Sequence, residues 1–132
     1  MYKPAFLAGT IMAMLSVVLG AFGAHALKQI FSPELLQSFE TGVRYQFYHA
    51  FALLFISLLP AYVSLKNLQT IYRCFVLGVI LFSGSIYTLC LLKSTANIGL
   101  GGLGLLTPIG GLFMILGWFF LVKAGLRYSS NA

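Results

Sequence analysis

The side chains able to titrate near neutral pH are two histidines, His25 and His49. Tyr45, Ser83, Ser85, Tyr87 and Thr107 add hydroxyls in stretches otherwise almost wholly apolar. Tyr45 and His49 stand four residues apart, so on a helix they share a face; Glu40 and Arg44 have the same spacing and form a candidate ion pair. Three kinds of chemistry suit such a set. An imidazole can relay protons, hydroxyls can bind a small solute or lipid, or the whole set can close on itself as a hydrogen-bonded plug that fixes packing. Catalysis asks for more. Two histidines with no nearby cysteine, and with Glu34 and Glu40 as the sole carboxylates, make a weak metal site. No buried acid accompanies a serine–histidine pair to orient a base. The glycine run at 99–104 lacks the GK[ST] ending that would hold a nucleotide phosphate. The reading is therefore of a protein that is not an enzyme, with no catalytic residue, no metal and no cofactor.

The elements that must position these residues are apolar helices. Of the 132 residues 60% are hydrophobic and 8% charged, where a soluble domain carries about 25% charged. Four stretches lack charge for long enough to approach the roughly 20 residues that a membrane-spanning helix needs. A soluble bundle would require polar faces these stretches lack, and they do not alternate as barrel strands do. The expected fold is all-α: a polytopic membrane protein, a four-transmembrane-helix bundle in a single membrane domain covering residues 1–132. Spans are expected at about 4–24, 45–65, 71–92 and 106–126, with a short interfacial helix at about 32–42 between helices one and two. The last rests on Ser32 and Pro33 as cap and first residue, followed by Leu35, Leu36, Phe39 and Val43 at helical spacing.

Within the spans, small residues mark close contacts. Ala5, Gly9, Ala13, Ser16 or Val17, Gly20 and Ala24 recur every three or four residues up helix one; Gly110 and Gly117 share a face of helix four. Gly9, Ala13, Gly20, Gly110 and Gly117 are the expected helix-packing positions. Gly42 offers an end or hinge for the interfacial helix, and Pro60 a bend in helix two. The glycines between 97 and 104 predict an irregular approach to helix four, whose start is set by Thr107 and Pro108. The Trp118 N–H needs a partner. Cys74 and Cys90 lie about 24 Å apart along one helix and cannot bridge.

Charge sets the orientation. With four spans the termini share a side, which holds Lys3, Lys66, Arg73, Lys123 and Arg127 and no acid. The opposite side holds Lys28, Arg44 and Lys93 against Glu34 and Glu40. Short loops rich in Lys and Arg stay in the cytoplasm, so both termini are expected there, in the cell (inner) membrane, with residues 20–50 at the outer face. The net charge of +6 sits at the ends of apolar runs rather than in a stripe, which excludes nucleic acid as a partner. Membrane lipids, a second copy of the chain or another membrane protein are the partners that remain. The stretch from Lys3 to Ala26 ends in a small-x-small triplet like a signal-peptidase site, but its apolar run is longer than a signal sequence uses, so it reads as a retained helix.

Four strings carry a resemblance: GAFGAHAL at 20–27, the pattern FxTGxxYQxxHA at 39–50, FSGSIY at 82–87, and TPIGG at 107–111 with GW at 117–118. Through them the chain resembles a family of small bacterial inner-membrane proteins of uncharacterised function, with relatives among small eukaryotic four-helix membrane proteins. The resemblance implies four membrane helices and no assigned activity. It points to His25, Tyr45, His49, Ser85, Tyr87 and Thr107 as residues to test first. Lys93 stands where such proteins usually have a short glycine-containing turn.

Overall fold

The computed structural model describes residues 1–95 and 101–129. It contains four long helices: α1 (Lys3–Ala24), α2 (Pro33–Ser57), α3 (Leu65–Thr95) and α4 (Leu103–Ser129). A single 3-10 turn, Leu27–Gln29, follows α1. The expected residues open the first two helices. Pro4 lies in the first turn of α1, and the Ser32 hydroxyl accepts the Leu35 N–H at 3.4 Å ahead of Pro33.

The stretch between α1 and α3 departs from the expected division. An interfacial helix at 32–42 separate from a span at 45–65 does not form; one helix runs unbroken from Pro33 to Ser57. Gly42 does not hinge it, because tertiary packing offsets glycine's poor helix propensity. The Tyr87 ring of α3 lies against Gly42, where a Cβ would come within 2.8 Å of it, and the Gly42 carbonyl accepts the Ser83 hydroxyl. Nor does Pro60 bend a longer helix. Continuing α2 through it would set the proline ring against the Ile56 carbonyl and remove that carbonyl's donor. The chain stops first, tightening its last turn through Leu58 N–H to Phe55 O (3.1 Å) and Leu59 N–H to Ile56 O (3.2 Å).

The other two helices are longer than expected. The Ser64 hydroxyl accepts the Asn67 N–H, which starts α3 at Leu65, so residues 66–70, between the expected second and third spans, are helical. Before α4, Gly101 takes a left-handed φ of +45°. The helix begins at Leu103, so Pro108 falls in its second turn instead of its first. That placement deprives only the Gly104 carbonyl of a donor, a small loss at a helix start. The rest of the expected irregular approach, residues 97–100, and the polar tail after Ser129 lie outside the described residues.

Each long helix packs along its chain neighbours: α1 on α2, α2 on α3, and α3 on α4. One apolar core joins Leu53, Ile56, Leu68, Ile71 and Phe75, with Ala5 and Ala124 contributed by the outer helices. It lies toward the end where the Tyr2 N–H donates to the Ser57 carbonyl (2.7 Å) and the Tyr62 and Tyr128 rings meet edge to face at 5.6 Å. A second core, Phe31, Phe39 and Cys90, closes the opposite end. Close approach depends on particular glycines. A Cβ on Gly9 would come within 2.8 Å of the Ala50 carbonyl, and one on Gly117 within 2.6 Å of the Phe75 ring. A Cβ on Gly110 would collide with the backbone nitrogen of Phe82. Ala13 is half-buried. Gly20 is not a contact of this kind, since its nearest neighbour, Val43, would lie 3.8 Å from a Cβ. At the top of α1 the buried residue is Gly23 and Ala24 faces outward, because two helical turns carry the inward stripe from Ser16 to residue 23.

The outward faces of α1 and α4 are apolar. Ile11, Met14, Val17 and Phe22 on the first, and Leu112, Ile115, Phe119 and Val122 on the second, are all exposed. Apolar surface this continuous is unstable against water and stable against lipid. Among the described residues, three helices, α1, α3 and α4, are long and apolar enough to cross a membrane.

Candidate functional site

The polar residues of the bundle meet at its helix crossings. Ser83, fully buried on α3, donates to the Gly42 carbonyl of α2 at 2.7 Å. One turn further along α3, the Tyr87 hydroxyl donates to Gln46 Oε1 at 2.9 Å, and Gln46 Nε2 donates to the Met12 carbonyl of α1 at 3.0 Å. A backbone carbonyl only accepts, so the amide's NH2 must face Met12 and its oxygen must face Tyr87. One side chain thus ties together three helices. The Met12 carbonyl also accepts the Ser16 hydroxyl at 2.8 Å.

His49 occupies the next crossing. Its Nδ1 lies 2.8 Å from the Tyr45 carbonyl and its Nε2 lies 3.2 Å from the indole nitrogen of Trp118 on α4. An indole N–H can only donate and a carbonyl can only accept. The two contacts therefore define one state, a neutral imidazole carrying its proton on Nδ1. The Phe75 ring meets the imidazole edge-on at 5.3 Å and seals that side. Between α3 and α4, the Ser85 and Thr107 hydroxyls are 2.7 Å apart. Ser85 donates to the Phe82 carbonyl at 2.9 Å, which leaves Thr107 as the donor to Ser85. Among the described residues, no buried side-chain nitrogen or oxygen lacks a partner.

The residues singled out by sequence fall into different places. His49, Ser83, Ser85, Tyr87 and Thr107 all bond at crossings, but at three separate ones rather than around one cavity. Tyr45 contributes its backbone carbonyl to His49, while its partly exposed ring packs on Phe82 at 5.0 Å. His25 is not brought into the network: it is exposed, bonds Ala21 of its own helix at 3.1 Å, and lines a shallow groove of about 460 Å³ with Val17, Val18 and Phe22. Glu40 and Arg44 sit one turn apart at the surface of α2, and the contacts of the described residues include no ion pair between them. Both line a groove of about 240 Å³ between α1 and α2. Gln46, the residue with the widest reach, is not among the sequence candidates. The available signal was a lone neutral amide among aromatics and aliphatics, one turn after Gly42.

A helical array with an apolar exterior and hydrogen bonds between its helices defines an integral, multi-pass membrane protein. Comparison with known proteins places the chain further. A family model described as "Protein of unknown function (DUF423)" matches residues 19–111, and the chain belongs to that family. It is 39% identical over 121 residues to the UPF0382 membrane protein YwdK of Bacillus subtilis, covering 91% of this chain and 94% of that one. It is 42% identical over 106 residues to the UPF0382 membrane protein C1782.12c of Schizosaccharomyces pombe, covering 80% of this chain and 86% of that one. A Haemophilus influenzae UPF0382 membrane protein is 33% identical over 114 residues, covering 86% of each. No solved structure matches the chain.

Proposed function

We propose that this is a non-catalytic, structural or accessory protein of the cell (inner) membrane, spanning it four times with both termini in the cytoplasm. Its crossing hydrogen bonds set the arrangement of the helices. The observation that carries the reading is that every buried side-chain nitrogen and oxygen among the described residues has a hydrogen-bond partner within the protein. A conduit for protons or solute needs polar groups left over for its cargo; here Gln46, Tyr87, Ser83 and His49 are each committed to a partner. The fourth span is α2, whose polar residues make it less apolar than its neighbours. Its Gln46 and His49 face α1, α3 and α4 rather than lipid, which offsets that polarity. The basic residues support the orientation: Lys3, Lys66, Lys123 and Arg127 belong to the end where Tyr2 meets Ser57 and where Asn67, Lys123 and Arg127 line a common pocket.

Purified protein in liposomes carrying an internal pH dye tests the reading. Proton flux is expected at the level of protein-free liposomes, both for the native chain and for Gln46→Leu. The same Gln46→Leu variant is expected to unfold more readily in detergent. Proton flux by the native chain above the liposome background would overturn the proposal.

A further inference from the structure

The groove between α1 and α2 has a composition that the crossing network does not explain. One wall is α1, where Gly20 and Gly23 present no side chains; the other is α2, with Phe39, Val43 and Phe47. Its volume of about 240 Å³ suits a stretch of acyl chain rather than a whole drug-sized molecule. Glu40 and Arg44 lie at its rim, exposed and one helical turn apart, about 6 Å between Cβ atoms. No ion pair joins these two, and an exposed pair at this spacing contributes little, so both charges are available to a ligand.

Depth adds a second argument. Along α2 the order is Glu40, then Arg44, then Phe47, running from the end near Pro33 toward the bundle's middle. A phospholipid with an ammonium headgroup has the same order: cation outermost, phosphate below it, hydrocarbon below that. We infer that this groove binds one glycerophospholipid with a primary-ammonium headgroup. The ammonium rests on the Glu40 carboxylate, the phosphate on the Arg44 guanidinium in the open space beside Gly20, and an acyl chain continues inward past Val17 and Phe47. Guanidinium is the side chain whose geometry matches a phosphate through two parallel N–H bonds. A phosphoglycerol headgroup would leave Glu40 facing an anionic lipid with no cation to offer. The inference rests on the proposed reading that α2 crosses the membrane with its Pro33 end at the surface, and is independent of what the crossing network does.

Native mass spectrometry of the full-length chain, incubated in mild detergent with equal amounts of dioleoyl phosphatidylethanolamine and dioleoyl phosphatidylglycerol, tests it. The native chain is expected to retain one ethanolamine lipid at least about fivefold over the glycerol lipid. Arg44→Gln is expected to lower that retention about tenfold, as loss of a charge-assisted contact to phosphate does. Glu40→Gln is expected to abolish the preference between the two lipids. Gly20→Leu is expected to lower retention of both, and it should fold, because a Cβ at this position meets only Val43 at 3.8 Å. Equal retention of the two lipids by the native chain would overturn the proposal, as would unchanged retention in Gly20→Leu. Circular dichroism on each variant separates loss of lipid from loss of fold.

Discussion

At the scale of single residues, the two histidines have opposite standing. His49 is 4% exposed and holds both nitrogens in hydrogen bonds, whereas His25 lies at the surface on its own helix. Truncating His49 removes a buried ring and orphans the Trp118 N–H, so His49→Ala is expected to cost about 3 kcal/mol. His25→Ala is expected to stay within about 0.5 kcal/mol. Reversible unfolding in mixed detergent micelles measures both, and equal costs would contradict this assignment of roles. Trp118 is the one tryptophan in the chain, so its fluorescence reports on the crossing directly; His49→Ala is expected to shift its emission maximum while His25→Ala leaves it in place. Gln46→Leu is the complementary case. It breaks the bonds to Met12 and Tyr87 together. Each interhelical hydrogen bond in a membrane is worth roughly 0.6 to 2 kcal/mol, so the expected loss is about 2 kcal/mol, with Tyr87→Phe costing about half as much.

At the scale of helices, glycines of equal appearance in the sequence do different work. Gly110 lies where α4 touches the α3 backbone at Phe82 and Gly78. Backbone cannot move aside as the end of a side chain can, so Gly110→Ala is expected to displace the crossing and cost about 3 kcal/mol. Gly20 faces open space beyond Val43. Gly20→Ala is expected to be neutral or to stabilise by up to about 1 kcal/mol through helix propensity. Thermal unfolding of the two variants side by side checks the sign as well as the size. The same logic explains why α2 is one helix. Read by propensity, Gly42 is a break; packed against Tyr87 with its carbonyl bonded by Ser83, it becomes a contact.

At the scale of the whole molecule, topology is the quantity to measure. Ile30, exposed in the connection after α1, and Ala61, exposed in the connection after α2, lie on opposite sides of the membrane if the chain crosses four times with its termini inside. Single cysteines at these positions, in a background with Cys74 and Cys90 replaced, are expected to label differently with a membrane-impermeant maleimide. The residue-30 thiol should react in intact cells, and the residue-61 thiol only after permeabilisation. Labelling of both in intact cells would remove the four-span orientation. Cys74 and Cys90 themselves are buried and free, so the native chain is expected to react slowly.

The sequence by itself determined the class of this protein. Long charge-free runs have one stable environment, and helices are the form in which they close their own backbone hydrogen bonds there. Basic residues at the run ends, the cap at Ser32 and the need of Trp118 for a partner were equally legible, because each follows from local composition or spacing. Tertiary structure decided the rest. It joined 33–57 into a single helix, sent Pro60 into a connection, left His25 outside the crossings and made Gln46 the link among α1, α2 and α3. Those outcomes depend on which face of one helix meets which face of another. Contacts such as Gly42 with Tyr87, or His49 with Trp118, join residues far apart in the chain, and no local pattern encodes such pairs.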